Sequence, residues 1–195
     1  MRVSGGKARG IPLRVNSKNG VRPAIETTRE RLFSSISSLL PQIRALDLFA
    51  GSGAYGLEAL SRGAAEITLV ENHRKVFADL KVNLAAVLKS AKLEGPAGRL
   101  VNRNVMDFLK SKPDQPYDII FIDPPYMEID RLCPQIFNLI REECFLTRNG
   151  RIILEGPGEQ VLQFKGWKLV KTLGKEKRGS PVHRIYRPDQ PLPAQ

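Results

Sequence analysis

The sequence predicts an α/β protein with a doubly wound, seven-stranded and mostly parallel sheet. Short apolar runs alternate with segments of helical periodicity through the middle of the chain, which is the pattern of strands joined by crossover helices. The last two apolar runs have no long helical segment between them, so they predict an antiparallel hairpin at the C-terminal end. A Gly- and Arg-rich segment comes first and predicts a basic N-terminal extension.

Each element follows from its local pattern. Residues 1–20 predict an extended arm or small hairpin, because short apolar stretches alternate with Gly and Arg. Thr27 or Thr28 is a candidate cap for a helix that ends near Leu40, before Pro41. Apolar residues recur with a 3.6-residue period over 74–91, and further helices are expected from Gly56, over 105–110 and over 129–146. The predicted strands are Leu46–Ala50, Ile67–Glu71, Leu100–Asn102, Asp118–Ile122, Arg151–Glu155, Trp167–Leu173 and His183–Tyr186.

Three regions are predicted along the chain. An N-terminal arm covers residues 1–25, the α/β domain covers 26–187, and a flexible tail with three prolines covers 188–195. The length of 195 residues and the hydrophobic content of 42% suit one domain with a core. We see neither a membrane-length apolar run nor a signal peptide, and Cys133 and Cys144 lack metal-ligand spacing. We therefore expect a cytoplasmic, monomeric protein without a metal site or a membrane partner.

The charge is concentrated at the two ends of the chain. The net charge is +11, and residues 1–31 and 165–195 each hold eight Lys or Arg against two acidic residues. The segment between them is close to neutral, which favours a catalytic core held on a polyanion by its termini. The candidates for phosphate contacts are Lys7, Arg9, Arg22 and Arg29, and the alternative for each is simple solvent exposure.

A glycine loop follows the first predicted strand. Residues 51–56 match G-x-G-x-x-G, and Glu71 stands twenty residues beyond Gly51, as in nicotinamide-binding proteins. Asp47 argues against that interpretation, because a carboxylate before the loop would repel phosphates and would suit a cationic ligand. S-adenosyl-L-methionine fits better, since it carries a sulfonium, an ammonium and a ribose diol but no phosphate.

The expected cofactor contacts lie at the carboxyl ends of the parallel strands, where open α/β sheets bind ligands. Asp47 and the loop would meet the amino-acid end, Glu71 would accept hydrogen bonds from the ribose hydroxyls, and Asn104 would contact the adenine. The other interpretations are a loop cap for Asp47, a surface acid for Glu71 and an ordinary helix N-cap for Asn104. The full set of candidates is Asp47, Phe49, Gly51, Ser52, Gly53, Gly56, Glu71, Asn72, Asn104 and Val105.

The catalytic candidates are Asp123, Pro124, Pro125 and Tyr126, directly after the strand that ends at Ile122. The Asp123 carboxylate can accept from an exocyclic NH2, and the Tyr126 ring can stack on a base. The prolines fix the backbone and carry no N–H, so their carbonyls are available as acceptors. Taken alone, the tetrapeptide could equally be a strand that ends in a Pro-Pro turn.

Together, these motifs resemble a known family. Asp47–Gly56 with Asp123–Tyr126 resembles those class I methyltransferases, with a Rossmann-like fold, that act on an exocyclic amine. Arg2–Gly10, Val21–Pro23, Arg29–Phe33 and Gly56–Arg62 further resemble the bacterial 16S ribosomal RNA guanine-N2 methyltransferases of the RsmD type, over roughly residues 1–187. The resemblance implies methylation of a guanine N2 amine, with 16S rRNA or a small-subunit assembly particle as the partner.

Three other functions remain open at this stage. A DNA or RNA adenine or cytosine amino-methyltransferase could use the same tetrapeptide, although the chain has no recognisable DNA-reading module. A non-catalytic RNA-binding assembly factor could keep the fold, although both motifs are intact. A nicotinamide oxidoreductase would need the glycine loop to hold a pyrophosphate.

Overall fold

The computed structural model describes residues 1–15, 23–93 and 96–190, and only the backbone of 23–25. Its helices are α1 (Pro23–Ser35), α2 (Ala54–Ser61), α3 (Arg74–Ala91), α4 (Val105–Leu109) and α5 (Ile129–Glu142), with single 3-10 turns at Ser37–Leu39 and Tyr126–Glu128. Its strands are β1 (Arg44–Leu48), β2 (Glu66–Val70), β3 (Gly98–Val101), β4 (Tyr117–Ile122), β5 (Leu146–Pro157), β6 (Trp167–Gly174) and β7 (Pro181–Pro188).

The described strands form one seven-stranded sheet in the order β3-β2-β1-β4-β5-β7-β6. Strands β1 to β5 pair in parallel, whereas β7 is antiparallel to both β5 and β6. The predicted doubly wound sheet and the C-terminal hairpin are therefore confirmed. The strand order reverses between β1 and β4, and such a reversal opens a ligand crevice at the carboxyl ends of the strands.

Two apolar clusters cover the two faces of the sheet. Residues of alternating position point to opposite faces, so Leu46 and Leu48 belong to one cluster while Ala45 belongs to the other. The first cluster contains residues of α1, α2, α3 and the N-terminal segment, and the second contains residues of α4 and α5. Within the described residues, no helix is long and apolar enough to cross a bilayer.

Two predicted helices end at different places in the structure. Helix α1 begins at Pro23 rather than at Thr27 or Thr28, and it stops at Ser35 before the 3-10 turn. Helix α5 stops at Glu142 because Cys144 adopts a left-handed conformation with φ of 56°, a helix ending usually marked by Gly. Strand β5 consequently starts at Leu146, five residues earlier than predicted.

The N-terminal segment is packed onto the domain and does not stand apart as an arm. Val3, Ala8 and Leu13 are buried in the first apolar cluster. The Ser4 backbone N–H donates to Glu58 Oε2 at 2.7 Å, and the Ala8 N–H donates to Ser61 Oγ at 2.9 Å. The predicted boundary after residue 25 falls inside α1, which corrects that boundary.

The C-terminal boundary also shifts. Pro188 is the last residue of β7, and the Asp189 N–H donates to the Gly166 carbonyl at 3.1 Å. Residues 188 and 189 therefore belong to the domain and not to the tail predicted from residue 188. Its last five residues, 191–195, lie outside the described residues.

Candidate functional site

An open cleft of about 500 Å³ lies at the carboxyl edge of the parallel strands. Four strands end level with one another, and their last common paired row consists of Leu48, Val70, Ile122 and Leu154. The residues that come next in the chain share one level, and all four line the cleft: Phe49, Glu71, Asp123 and Glu155. The other lining residues are Asn72, Pro124, Pro125 and Tyr126, so the cleft unites the predicted catalytic tetrapeptide with part of the predicted cofactor site.

The glycine loop turns sharply from β1 into α2. Gly51 and Gly53 have φ of 55° and 84°, a backbone region that favours glycine. A Cβ on Gly53 would stand 2.7 Å from both Leu57 Cδ1 and Leu80 Cδ1. The loop thus needs glycine for its backbone path and for its close approach to the helices beneath it. Ser52 is held from below, because the Asn83 side-chain amide donates to its carbonyl at 2.9 Å.

Asp47 lies beneath this loop with 1% of its surface exposed. Its Oδ2 accepts from the Gly56 N–H at 2.8 Å, while Oδ1 is buried without a hydrogen-bond partner among the described residues. Burial raises the pKa of Asp47 to about 7, against the lowering effect of the Gly56 hydrogen bond and with a further increase from the charge of Glu71. A partnerless buried carboxylate fits a cationic ligand such as the one predicted.

Gly56 has a packing role in place of the predicted contact with the cofactor. Its N–H is occupied by Asp47, and it lies inside α2 where the helix crosses β2. A Cβ at this position would stand 2.6 Å from Leu69 Cδ2 and 2.8 Å from Ile67 Cγ1. The third glycine of the loop therefore permits close packing of helix on strand, which corrects its assignment as a cofactor contact.

Glu71 connects β2 to the glycine loop. Its Oε2 accepts from the Gly51 N–H at 3.0 Å, and its Oε1 accepts from the His73 N–H at 2.7 Å. Asn102, which the sequence did not single out, donates to the carbonyls of Glu71 and Asn72 at 2.7 and 3.2 Å. The carboxylate and the turn after β2 are thus held in place at the edge of the cleft.

Asn104 is the N-cap of α4. Its Oδ1 accepts from the Met106 N–H at 2.8 Å, so the capping interpretation of this residue is correct. Neither Asn104 nor Val105 lines the cleft, and Val105 is 5% exposed in the second apolar cluster. Contact of either residue with adenine remains a prediction.

Asp123 is partly buried at the end of β4, and its pKa is raised well above the ordinary value by burial and then by the charges of Glu155 and Asp47. The Pro125 carbonyl accepts from the Glu128 N–H at 2.8 Å, which closes the short 3-10 turn. This turn presents the Tyr126 ring, 42% exposed, at the mouth of the cleft.

Three residues of the site were missed by the sequence analysis. Glu155, 6% exposed, accepts from the Tyr126 hydroxyl at 2.9 Å through Oε1 and from the Tyr55 hydroxyl through Oε2. His183 Nε2 lies 2.7 Å from the Tyr55 hydroxyl oxygen and 3.4 Å from Glu155 Oε2. Burial pushes the Glu155 pKa upward, but hydrogen bonds from His183, Tyr55 and Tyr126 outweigh it and leave the pKa below its usual value.

The predicted phosphate contacts separate into three cases. Lys7 and Arg9 are exposed on the N-terminal segment. Arg22 lies outside the described residues. Arg29 is only 1% exposed, and its guanidinium donates to the Arg2 carbonyl at 2.9 Å. Arg29 therefore anchors the N-terminal segment from within, which corrects its assignment as a surface phosphate contact.

Comparison with known proteins now identifies the family. Residues 1–187 match the family described as Conserved hypothetical protein 95. The chain belongs to this family. The Escherichia coli (strain K12) protein named Ribosomal RNA small subunit methyltransferase D is 36% identical over 189 residues, covering 96% of this chain and 89% of the relative. The predicted resemblance to the RsmD type is thus confirmed.

Solved structures of methyltransferases have the same fold as this chain. The Escherichia coli protein yhhF superposes with a TM-score of 0.79 at 34% identity, covering 96% of this chain and 97% of that one. SMU.776, a methyltransferase structure solved with SAH, has a TM-score of 0.64 at 17% identity and covers 87% of this chain and 52% of its own, so it supports the fold alone. The chain thus has the methyltransferase fold, and S-adenosyl-L-methionine is the cofactor that this fold and family support. Among the described residues, no group of three or more His, Cys, Asp or Glu is placed to hold a metal ion.

Proposed function

We propose that this protein transfers a methyl group from S-adenosyl-L-methionine to the exocyclic N2 amine of a guanine in 16S ribosomal RNA, in the free RNA or in a small-subunit assembly particle. One observation carries the proposal. Strands β1 and β4 end side by side at the cleft, with the glycine loop after β1 and Asp123–Tyr126 after β4. The name of the Escherichia coli relative supports small-subunit rRNA as the substrate. The N2 position rests on the resemblance of the motifs.

The chemistry is divided among the ends of three neighbouring strands, β2, β1 and β4. When bound, the cofactor supplies an electrophilic methyl group on a sulfonium. Asp47, Glu71 and the glycine loop would hold it through the carboxylates and the loop backbone, at the ends of β1 and β2. Asp123 accepts a hydrogen bond from the target NH2 at the end of β4, and the Pro124 carbonyl is the second acceptor that aims the amine. Most of the rate enhancement comes from this positioning and from the fixed charges.

Asp123 is also suited to accept the proton that the reaction releases. The cofactor would supply the methyl group and take back the electron pair of its C–S bond, so the methylated nitrogen would be left with one proton more than the product carries. The pKa of Asp123 is raised by burial, Glu155 and Asp47, which makes its carboxylate a stronger proton acceptor than an exposed aspartate. A bound sulfonium favours the ionised form of Asp123 before the transfer.

The target base enters this site from RNA bound to the protein surface. Tyr126 presents an exposed ring for stacking, and the base must be unpaired or flipped to reach it. Lys7 and Arg9 remain the described candidates for phosphate contacts, because both are exposed on the N-terminal segment. We expect the enzyme to work as a monomer in the cytoplasm, where ribosomal subunits are assembled.

The test is transfer of labelled methyl groups into the RNA of a strain that lacks this gene. We expect label in 16S rRNA, as N2-methylguanosine after nucleoside analysis, with wild-type protein and none with Asp123→Ala. Methyladenosine or methylcytidine would instead identify an amino-methyltransferase of another base. RNA binding without transfer would identify an assembly factor, and binding of NAD in place of S-adenosyl-L-methionine would identify an oxidoreductase.

A further inference from the structure

A second carboxylate, Glu155, lies in the same cleft as Asp123 but has a different environment. Both residues follow the same paired row of neighbouring strands and line the same opening. Each Glu155 oxygen already accepts a phenol hydroxyl, Oε1 from Tyr126 at 2.9 Å and Oε2 from Tyr55. Glu155 is only 6% exposed and its two oxygens hold two phenol hydroxyls, so little of its surface is left for the amine of the substrate, and we expect another function.

The Tyr126 ring depends on Glu155 for its orientation. Tyr126 lies in a single 3-10 turn after two prolines, and with 42% of its surface exposed it is restrained less by packing than a buried residue would be. Its hydroxyl is tied to Glu155, which is 6% exposed. A charged acceptor makes this bond stronger than a neutral one, and it fixes the far end of a side chain that has two rotatable bonds.

The carboxylate itself is held from behind by two other elements. Glu155 pairs with His183 across β5 and β7, so the register of the sheet sets their distance. Tyr55, on α2, is 6% exposed and stacks on Phe121 with ring centroids 5.6 Å apart. The chain of contacts therefore runs from the buried core through Tyr55 and Glu155 to the exposed ring of Tyr126.

We propose that Glu155 is a positioning residue that acts through Tyr126, holding the ring where it receives the target base, with Tyr55 and His183 fixing the carboxylate. This inference rests on the proposed methyl transfer. Glu155 touches neither the amine nor the methyl group in this scheme. Its loss leaves the cofactor site intact and lowers the fraction of bound RNA in which the amine faces the methyl group.

The test compares Glu155→Gln, Tyr126→Phe and the double variant in methylation of 16S rRNA from the strain that lacks the gene. Each single variant should lose about ten- to a hundred-fold in kcat/KM for RNA, the fold-change expected for a hydrogen bond to a charged group. The loss should fall on kcat, and the Kd for S-adenosyl-L-methionine should stay unchanged. The double variant should be no worse than the poorer single variant, because Glu155 acts on the reaction only through Tyr126 in this scheme.

Glu159→Gln is the matched control. Glu159 is an exposed carboxylate two residues after β5, and its charge acts on Tyr126 without a hydrogen bond. Wild-type rates for this variant support a hydrogen-bonding role for Glu155, whereas an equal loss in both variants would show a general charge effect and overturn the proposal. Multiplying losses in the double variant, or a fully active Glu155→Gln, would also overturn it.

A second pair of variants keeps the proposal testable if Glu155→Gln unfolds or loses the cofactor. Tyr55→Phe leaves Glu155 in place and removes one of its supports, so it should lower kcat less than Tyr126→Phe, and the two losses should again not multiply. Independent losses would overturn the proposal. Absence of rRNA methylation by the wild-type protein is a separate outcome, because it rejects the proposed function itself.

Discussion

Replacement of Asp47 by Asn should make the protein more stable at high pH and a weaker binder of its cofactor. Asp47 is 1% exposed, and its pKa of about 7 in the folded chain compares with 3.8 for the ordinary group. The folded protein therefore holds a proton on Asp47 over a pH range in which the unfolded chain has released it. The free energy of unfolding falls as the pH rises through this range, and Asn does not titrate.

The magnitude follows from the shift of the pKa. About three pKa units at 1.36 kcal/mol each give a penalty of about 4 kcal/mol above pH 7, fully developed once the folded carboxyl is ionised. About 3 kcal/mol of this penalty should develop between about pH 5 and pH 8. Asn keeps an oxygen for the Gly56 N–H but places an NH2 at the partnerless position, which costs about 1–3 kcal/mol at every pH.

The assay is urea unfolding of both proteins across this pH range, without cofactor. The constant cost of the new NH2 cancels when the difference between the two proteins is followed against pH. We expect that difference to move in favour of Asp47→Asn by about 3 kcal/mol from about pH 5 to pH 8. Parallel curves for the two proteins would refute the argument, because they would show that Asp47 carries no burial penalty.

Calorimetry with S-adenosyl-L-methionine completes this test. Binding should weaken by on the order of 1.5–3 kcal/mol in Asp47→Asn, the range for a hydrogen bond to a charged group. In the wild-type protein, affinity should fall as the pH drops below about 7, since a protonated Asp47 no longer attracts a cation. An unchanged Kd would restrict Asp47 to holding the Gly56 N–H.

Three further predictions use the same assays. Asp123→Ala should abolish methyl transfer while the Kd for the cofactor is retained, and near-normal turnover would contradict the mechanism. Gly56→Ala should lower the free energy of unfolding by about 1–3 kcal/mol in chemical denaturation, because its Cβ would stand 2.6 Å from Leu69 Cδ2; a neutral effect would show that the α2–β2 contact can relax. Combined Lys7→Ala and Arg9→Ala should weaken RNA binding and flatten its log–log salt dependence by about 0.7–0.9 per lost phosphate contact, with an unchanged Tm. An unchanged slope would leave the basic C-terminal strands as the RNA-binding surface.

The strand ends were the most predictable part of the site. Asp123 and Glu71 could be located because each follows a short apolar run, and parallel strands bring their carboxyl ends to one edge. Glu155 also ends a predicted strand, but its function depends on Tyr55, which is 100 residues away in the chain. Pairing of Glu155 with His183 further requires the β5–β7 register, which local periodicity does not specify.

The burial of Arg29 can be predicted from the spacing of its apolar neighbours. Arg29, Leu32, Phe33 and Ile36 recur at the spacing of one helix face, and all four are buried in the structure. An arginine on that apolar face is expected to be covered by another part of the chain. In the structure the N-terminal segment covers it, and its guanidinium donates to the Arg2 carbonyl. The end of α5 was not predictable in the same way. Cys144 adopts a left-handed backbone conformation, and cysteine is not a residue type that indicates this conformation.

The acidic edge of the sheet explains how one small, basic protein can bind two ligands of opposite charge. Asp47, Glu71, Asp123 and Glu155 come from four adjacent strands and gather at one edge, although the chain as a whole carries +11. Burial, and to a smaller extent repulsion from the neighbouring carboxylates, raises the pKa of Asp47 and of Asp123, which destabilises the protein without its cofactor. A bound sulfonium offsets that cost, whereas a phosphate would add to it. We therefore expect the RNA backbone to stay outside the acidic cleft, and the target base, which carries no charge, to enter it beside Tyr126.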